Sequence, residues 1–408
     1  MSQTPVHPPV RLSVRSNDFD VVPGESLEAA QATYADLRKR CPVAHTDALG
    51  GFWALTRHAD VARAAKDYGV FTTTVQNVVP KVASTGRRPP LHLDPPEQTP
   101  YRAALNPLLS AERVATLEPV VRALVREELL PLIGRGSGDI CNEFSGRFPV
   151  RVFARWMNLD DSLQARLMEA GPAFIRAVQA FDNAAMKDTS YVLYDMAREA
   201  IAQRKANPLA ADADPVSALL ATRVNRNGVL EALPDDMIIG SVRQVLVVGI
   251  VAPMVMVGSM VLHLAKDRAL HQQLKNAPEL MPAAVEEFLR LYTPYRGFSR
   301  TPLVDVEMGG RHISAGEPVA LTYASANRDE AVFPKPDVFK LDRPNMADHL
   351  AFGQGPHFCP GAHLARLELR VALEEILAAT NALEICGDVL YCPYPEIGPY
   401  QVPVRFVA

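Results

Sequence analysis

Phe352-Gly353-Gln354-Gly355-Pro356-His357-Phe358-Cys359-Pro360-Gly361 is the stretch on which this chain of 408 residues turns. Two glycines and a proline end regular structure there and let the backbone come close to a flat partner. Behind the single cysteine, Ala362 to Thr380 has helical spacing: Leu364, Leu367 and Val371 share one face, Arg366, Arg370 and Glu374 another. Cys359 therefore precedes a helix N-terminus, where unpaired N–H groups and the helix dipole favour a thiolate. Pro360 suits the first helical position, which needs no N–H donor. Gly361 lets its own N–H approach the sulfur. A lone thiolate so placed suits the axial position of a haem iron. An isolated Cys-x-Gly is equally a setting for a buried structural cysteine.

The full string Phe-Gly-x-Gly-x-His-x-Cys-x-Gly, with Leu364-Ala365-Arg366 behind it, resembles the cysteine loop of the cytochrome P450 superfamily in its bacterial soluble form. The resemblance runs from roughly Leu27 to the C-terminus. It implies a mainly α fold, a triangular helical prism with a small β-rich lobe, as one domain over residues 18–408. It implies haem b (iron protoporphyrin IX), with Cys359 as iron ligand, Phe352 shielding the sulfur, Gly361 beside it and His357 reaching a propionate.

Composition agrees with a large enzyme. Hydrophobic residues make up 48% of the chain, enough for a sizeable core. Net charge is 42 − 46 = −4 without blocks of like charge, so nucleic acid is not an expected partner. Cys41, Cys141, Cys359, Cys386 and Cys392 form no Cys-x-x-Cys or disulfide framework, which suits a reducing, cytoplasmic setting. Residues 1–17 carry prolines and polar residues and no apolar signal core, so a flexible arm is expected. Val245 to Leu262 has no charge and Ser259 as its only polar side chain, a run long enough to span a membrane. Gly249, Pro253 and Gly258 interrupt it, and a helix apolar all round also suits the centre of a large protein. No membrane span and a monomer are expected.

Helical spacing appears at Leu27–Cys41, Asp60–Tyr68, Ala111–Leu132, Ser162–Met168, Gly171–Ala180 and Lys187–Lys205. Val43 to Thr56 reads as a hairpin turning at Gly50-Gly51. Thr72 to Pro90 reads as a long loop. Asp94-Pro95-Pro96-Glu97-Gln98-Thr99-Pro100-Tyr101-Arg102 sets a proline turn into a helix reaching about Leu109. The resemblance puts Gln98, where the family usually has His, and Arg102 on haem propionates.

The longest helical pattern is Asp235 to Lys266. Where the family's oxygen groove reads Ala-Gly-x-(Asp/Glu)-Thr-Thr, this chain has Val248-Gly249-Ile250-Val251-Ala252-Pro253. The acid position is Val251 and the alcohol position Ala252, so the usual organisers of proton delivery are missing. Pro253 lacks an N–H and crowds the Gly249 carbonyl, which predicts a kink. Three readings stay open. Water or a substrate oxygen relays protons in an ordinary monooxygenase; peroxide or a non-oxygenating rearrangement avoids the need; or the protein binds and senses without turnover.

Glu287 and Arg290 share a helix face. The resemblance makes them a buried structural pair, completed by Arg343. It puts Arg300 on a propionate, and Val248, Ala252, Tyr295, Arg296, Phe298 and Ile397 around the substrate. Arg296 is expected to meet a propionate, solvent or an anionic substrate. With no flavin or iron–sulfur module visible, the implied electron donors are a ferredoxin and its NAD(P)H-dependent reductase.

Overall fold

Helices dominate because long apolar stripes must pack against one another to leave water. The computed structural model describes residues 16–81 and 85–408, so the expected arm lies outside the described residues except for Ser16 and Asn17. Those two are tied in: the Asp47 N–H donates to Asn17 Oδ1 at 3.1 Å, and Arg311 donates to Ser16 Oγ at 3.1 Å.

The helix Ala362–Ala379 behind the cysteine loop is the hub. It buries Leu364, Leu367, Val371 and Leu373 against the helices Glu118–Arg135, Met281–Leu291 and Val251–Lys266. Burying each such side chain is worth about 2 kcal/mol, which fixes the helix at the centre of the packing. Its outer face is laced by Arg370 to Glu118 and Glu374, and by Arg122 to Glu374 and Glu375.

A five-stranded sheet forms the β-rich part, in the order Val43–Thr46, Phe52–Leu55, Val319–Leu321, Phe298–Pro302, Phe71–Thr72. Ala54 pairs in parallel with Ala320, and Leu321 antiparallel with Phe298. The first hairpin turns at Gly50 and Gly51, both at positive φ (91° and 88°). A two-stranded ribbon, Leu390–Tyr391 with Pro399–Gln401, carries a loop whose Glu396 bridges Tyr295.

Three elements differ from the sequence reading. Ala111 to Leu132 is two helices, Ala111–Ala115 and Glu118–Arg135, the second starting with Pro119 in its first turn. Ser162 to Ala180 is one helix, Asp161–Gln179, running through Gly171 and Pro172. Packing outweighs the proline: a Cβ at Gly171 would stand 2.6 Å from Ile250 Cδ1, so the helix is pressed there against the chain's centre. The long central pattern is two helices, Asp235–Val245 and Val251–Lys266, parted at residues 246–250. Among the described residues no helix is long and apolar enough to cross a membrane.

Candidate active site

The cysteine loop closes on itself: the Cys359 N–H donates to Phe352 O at 2.9 Å. Gly353 and Gly355 sit at φ 70° and 73°. A Cβ on Gly355 would lie 2.8 Å from Ala65 O, so only glycine lets the loop rest on the helix His58–Lys66. The following helix starts at Ala362 with Gly361 as its N-cap. Pro360 therefore stands ahead of the cap, not at the first helical position, because a turn from Cys359 O to the Ala362 N–H (3.4 Å) intervenes.

Cys359 is half-buried. Burial pushes its thiol up; the Gly361 N–H and the charges of Arg102 and Arg366 pull it down and lose. The thiolate preference expected from the helix N-terminus thus needs a cation at the sulfur. A bound metal ion deprotonates a coordinating thiol outright. Phe352 lies 4.6 Å under the Arg366 guanidinium and 6.3 Å from Phe358. Arg366 is itself held by Glu286 at 2.6 Å, which also accepts from His349 at 2.9 Å. Burial alone would raise the Glu286 carboxyl; those hydrogen bonds outweigh it and hold it at about 2.

One edge of the loop gathers polar groups from distant segments. Gln98 Nε2 donates to His357 Nδ1 at 2.9 Å, and His357 Nε2 donates to Asp94 Oδ1 at 2.8 Å. Asp94 also accepts from Thr72 and Thr73. The imidazole is thereby fixed in one orientation, and burial keeps it below its ordinary pKa despite Asp94. Arg102 donates to Phe358 O at 2.7 Å; Arg300 donates to Ser299 O at 2.9 Å and bonds Tyr323. Both guanidiniums act on His357, so they share this edge. Gln98, Arg102, Arg300, His357 and Cys359 come together as the sequence places them. Sequence reading missed Asp94 as their organiser and Tyr323 as the partner of Arg300.

The central apolar pattern breaks at residues 246–250. Gly249 is required there: a Cβ would stand 1.8 Å from Phe153 Cε2. The sequence predicts a continuous helix kinked at Pro253. Instead a full turn is lost, and Pro253 falls in the first turn of the new helix, where its missing N–H costs nothing. Val248 is 47% exposed although Val247 and Ile250 beside it are buried. Val251 packs with Val255 and Cys392; Ala252 is half-buried. Neither carries a proton.

The Tyr295 and Phe298 rings pack 5.0 Å apart with their planes tilted by 40°, both half-buried. Arg296 and Ile397 do not join them. Arg296 pairs with Glu25 at 2.7 Å and with Tyr34 Oη at 3.2 Å, because the chain before Gly297 turns its side chain toward the Leu27–Arg40 helix. Ile397 packs with Leu27, Ala30 and Leu37 on the same helix. The loop meets the central helix through Gly398 instead, whose Cβ would lie 2.6 Å from Val255 Cγ1. Glu396 is the residue sequence reading undervalued. Its carboxyl is buried, its Oε2 has no partner among the described residues, and burial lifts it to about 7. The signal was present: it is the one charged residue in Cys392–Gln401.

Behind the site, Glu287 binds Arg290 at 2.7 Å and Arg343 at 2.8 Å, all deeply buried. Arg290 caps Asn327 O and Pro336 O; Arg343 caps Pro334 O, Lys335 O and Val338 O.

A lone supported thiol with two guanidiniums on one edge of its loop fits a haem. Fold and donor set are those of a haem-thiolate protein. The sequence model described as Cytochrome P450 matches residues 165–381, over half the chain. Cytochrome P450 130 of Mycobacterium tuberculosis is 33% identical over 392 residues, covering 91% of this chain and 93% of that protein. The mycinamicin IV hydroxylase/epoxidase of Micromonospora griseorubida is 32% identical over 407 residues, covering 96% and 98%. The solved structure of cytochrome P450 CYP109Q5 from Chondromyces apiculatus superposes with a TM-score of 0.83 at 28% identity, covering 94% and 96%. This chain belongs to the cytochrome P450 family of haem monooxygenases.

Proposed function

We propose that this protein inserts one oxygen atom of O2 into a small, largely apolar substrate, aromatic ones included, by hydroxylation or O-dealkylation. Electrons come from separate proteins, a ferredoxin and its NAD(P)H-dependent reductase. The observation that carries this is the Cys359 thiol, supported by the Gly361 N–H, with Tyr295 close to both it and Cys392, which packs with Val251 and Val255 of the central helix. Bound haem, ligated by thiolate, supplies the oxygen-activating chemistry.

The chain's own residues do the rest. Cys359 holds the iron, and Arg102 and Arg300 hold the propionates by charge-assisted contacts. Gln98, His357 and Asp94 stiffen that edge. Val248, Ala252, Tyr295 and Phe298 form an apolar wall that orients substrate and excludes water. Gly249 and Pro253 keep the groove open. Proton delivery falls to groups off the central helix. Burial first, then proximity to Glu396, Cys392 and Cys359, raises the Tyr295 hydroxyl, and the Glu396 carboxyl holds its proton up to about pH 7.

Val251 and Ala252 bring no acid or hydroxyl, which favours one second reading: a peroxide-driven oxygenase or a non-oxygenating haem-thiolate enzyme. Reconstitution with ferredoxin and reductase under 18O2 separates the two. Labelled product that tracks NADH consumption is expected. Product formed with peroxide but not with reduced donors and O2 would reject the first reading.

A further inference from the structure

A buried cationic cluster stands apart from the groups used above. It lies where the segment 85–93 crosses the Asp235–Val245 helix, beneath the helices Asp161–Gln179 and Asn183–Ala206. A Cβ at Gly240 would stand 2.1 Å from Arg87 O and 3.5 Å from Pro89 Cδ, so the segment is pressed onto that helix face. Arg243, one turn on, shares the face. Its side chain is 1% exposed and stacks on Phe174 at 4.4 Å. Its Nη2 donates to Ser190 Oγ at 2.9 Å; Nε and Nη1 are buried with no acceptor.

Arg88 approaches from the crossing segment, its one side-chain hydrogen bond among the described residues being Nη2 to His92 Nε2 at 3.2 Å. Among the described residues no Asp or Glu pairs with Arg88 or Arg243. The groups repel one another as well. Burial first, then the two guanidiniums, hold His92 at about 3; burial and then Arg88 bring Arg243 to about 9. Buried cations without a counter-charge are strongly unfavourable. An anion relieves them, and a guanidinium fork matches a carboxylate.

We propose that Arg243 and Arg88 seat the carboxylate of an organic-acid substrate whose apolar body lies past Phe174 toward Val248 and Gly249. This deepens the monooxygenase reading and rests on it. Arg243 stands within one turn of the break at residues 246–250 that holds Val248 and Gly249, so an acid seated on it keeps its apolar body beside that break. Arg296, which the sequence offered for an anionic substrate, is already neutralised by Glu25.

The test titrates the ferric holoenzyme spectroscopically with 4-tert-butylbenzoate and with octanoate, each against its own primary amide. Acids should bind about tenfold tighter than amides or better, the scale of one charge-assisted contact. Acids alone should raise the thermal midpoint, a readout independent of turnover. In Arg243→Gln and Arg88→Gln the acid preference should collapse toward parity. Arg243→Lys, which keeps the charge, should retain part of it and guards against a misfolded glutamine variant. The seat is refuted if amides match acids in the wild type, if neither acid shifts spectrum or midpoint at millimolar concentration, or if the preference survives both glutamine variants. An acid bound with this preference but left unoxidised by O2 and reduced donors would refute the monooxygenase reading and keep the seat. Turnover of neutral molecules without acid preference would do the reverse.

Discussion

Cys359 is held where burial and charge disagree, and burial wins while the sulfur has no cation beside it. Cys359→Ser should therefore fold, by circular dichroism, yet lose the thiolate signature of the carbon-monoxide difference spectrum and all product. Persistence of both would refute its assignment as ligand. Glu396 poses the opposite problem, a carboxyl kept neutral by burial. Its proton leaves near pH 4.5 in the unfolded chain and near 7 in the folded one. Between those values only the folded state holds the proton, so stability falls as pH rises through the window, by about 3 kcal/mol in all. Urea unfolding at pH 5 and pH 8 should show the wild type losing that much relative to Glu396→Gln. An unchanged difference would mean the carboxyl is solvated.

The decisive element is the central helix pair. Gly249 and Pro253 stand one turn apart and predict a kink at Pro253, whereas the break falls at residues 246–250 and leaves Pro253 inside the new helix. The extent of the break was not legible, because it depends on Phe153 lying against Gly249 and Ile250 against Gly171. Gly249→Ala should cost about 1–3 kcal/mol by overpacking, measured by thermal unfolding, and Phe153→Leu in the same chain should recover much of it. If Gly249→Ala is neutral alone, the break does not depend on that contact. The helix Asp161–Gln179 makes the same point. Gly171-Pro172 reads locally as a stop, yet packing carries the helix through.

Across the whole molecule, the buried Glu287–Arg290–Arg343 network ties the Met281–Leu291 helix to the segment leading into the cysteine loop. Removing one member leaves unpaired charge inside, at about 3–5 kcal/mol. Glu287→Gln should unfold at lower urea and lose haem on gel filtration; wild-type haem retention would show the network is not needed. The site itself is assembled from Asp94, Arg102, Arg300, His357 and Cys359, brought together by the sheet and by the helix behind the cysteine.

Sequence alone determined the cysteine loop, the Glu-x-x-Arg pair and the glycine turns. Each is written in backbone preferences acting over a few neighbouring residues. Only the tertiary structure decided that Arg296 faces Glu25 while Arg300 faces Tyr323, that His357 is clasped between Gln98 and Asp94, and that Arg243 and Glu396 are buried with atoms left unpartnered among the described residues. Burial and partnership belong to whatever packs against a side chain, and those partners lie up to hundreds of residues away along the chain.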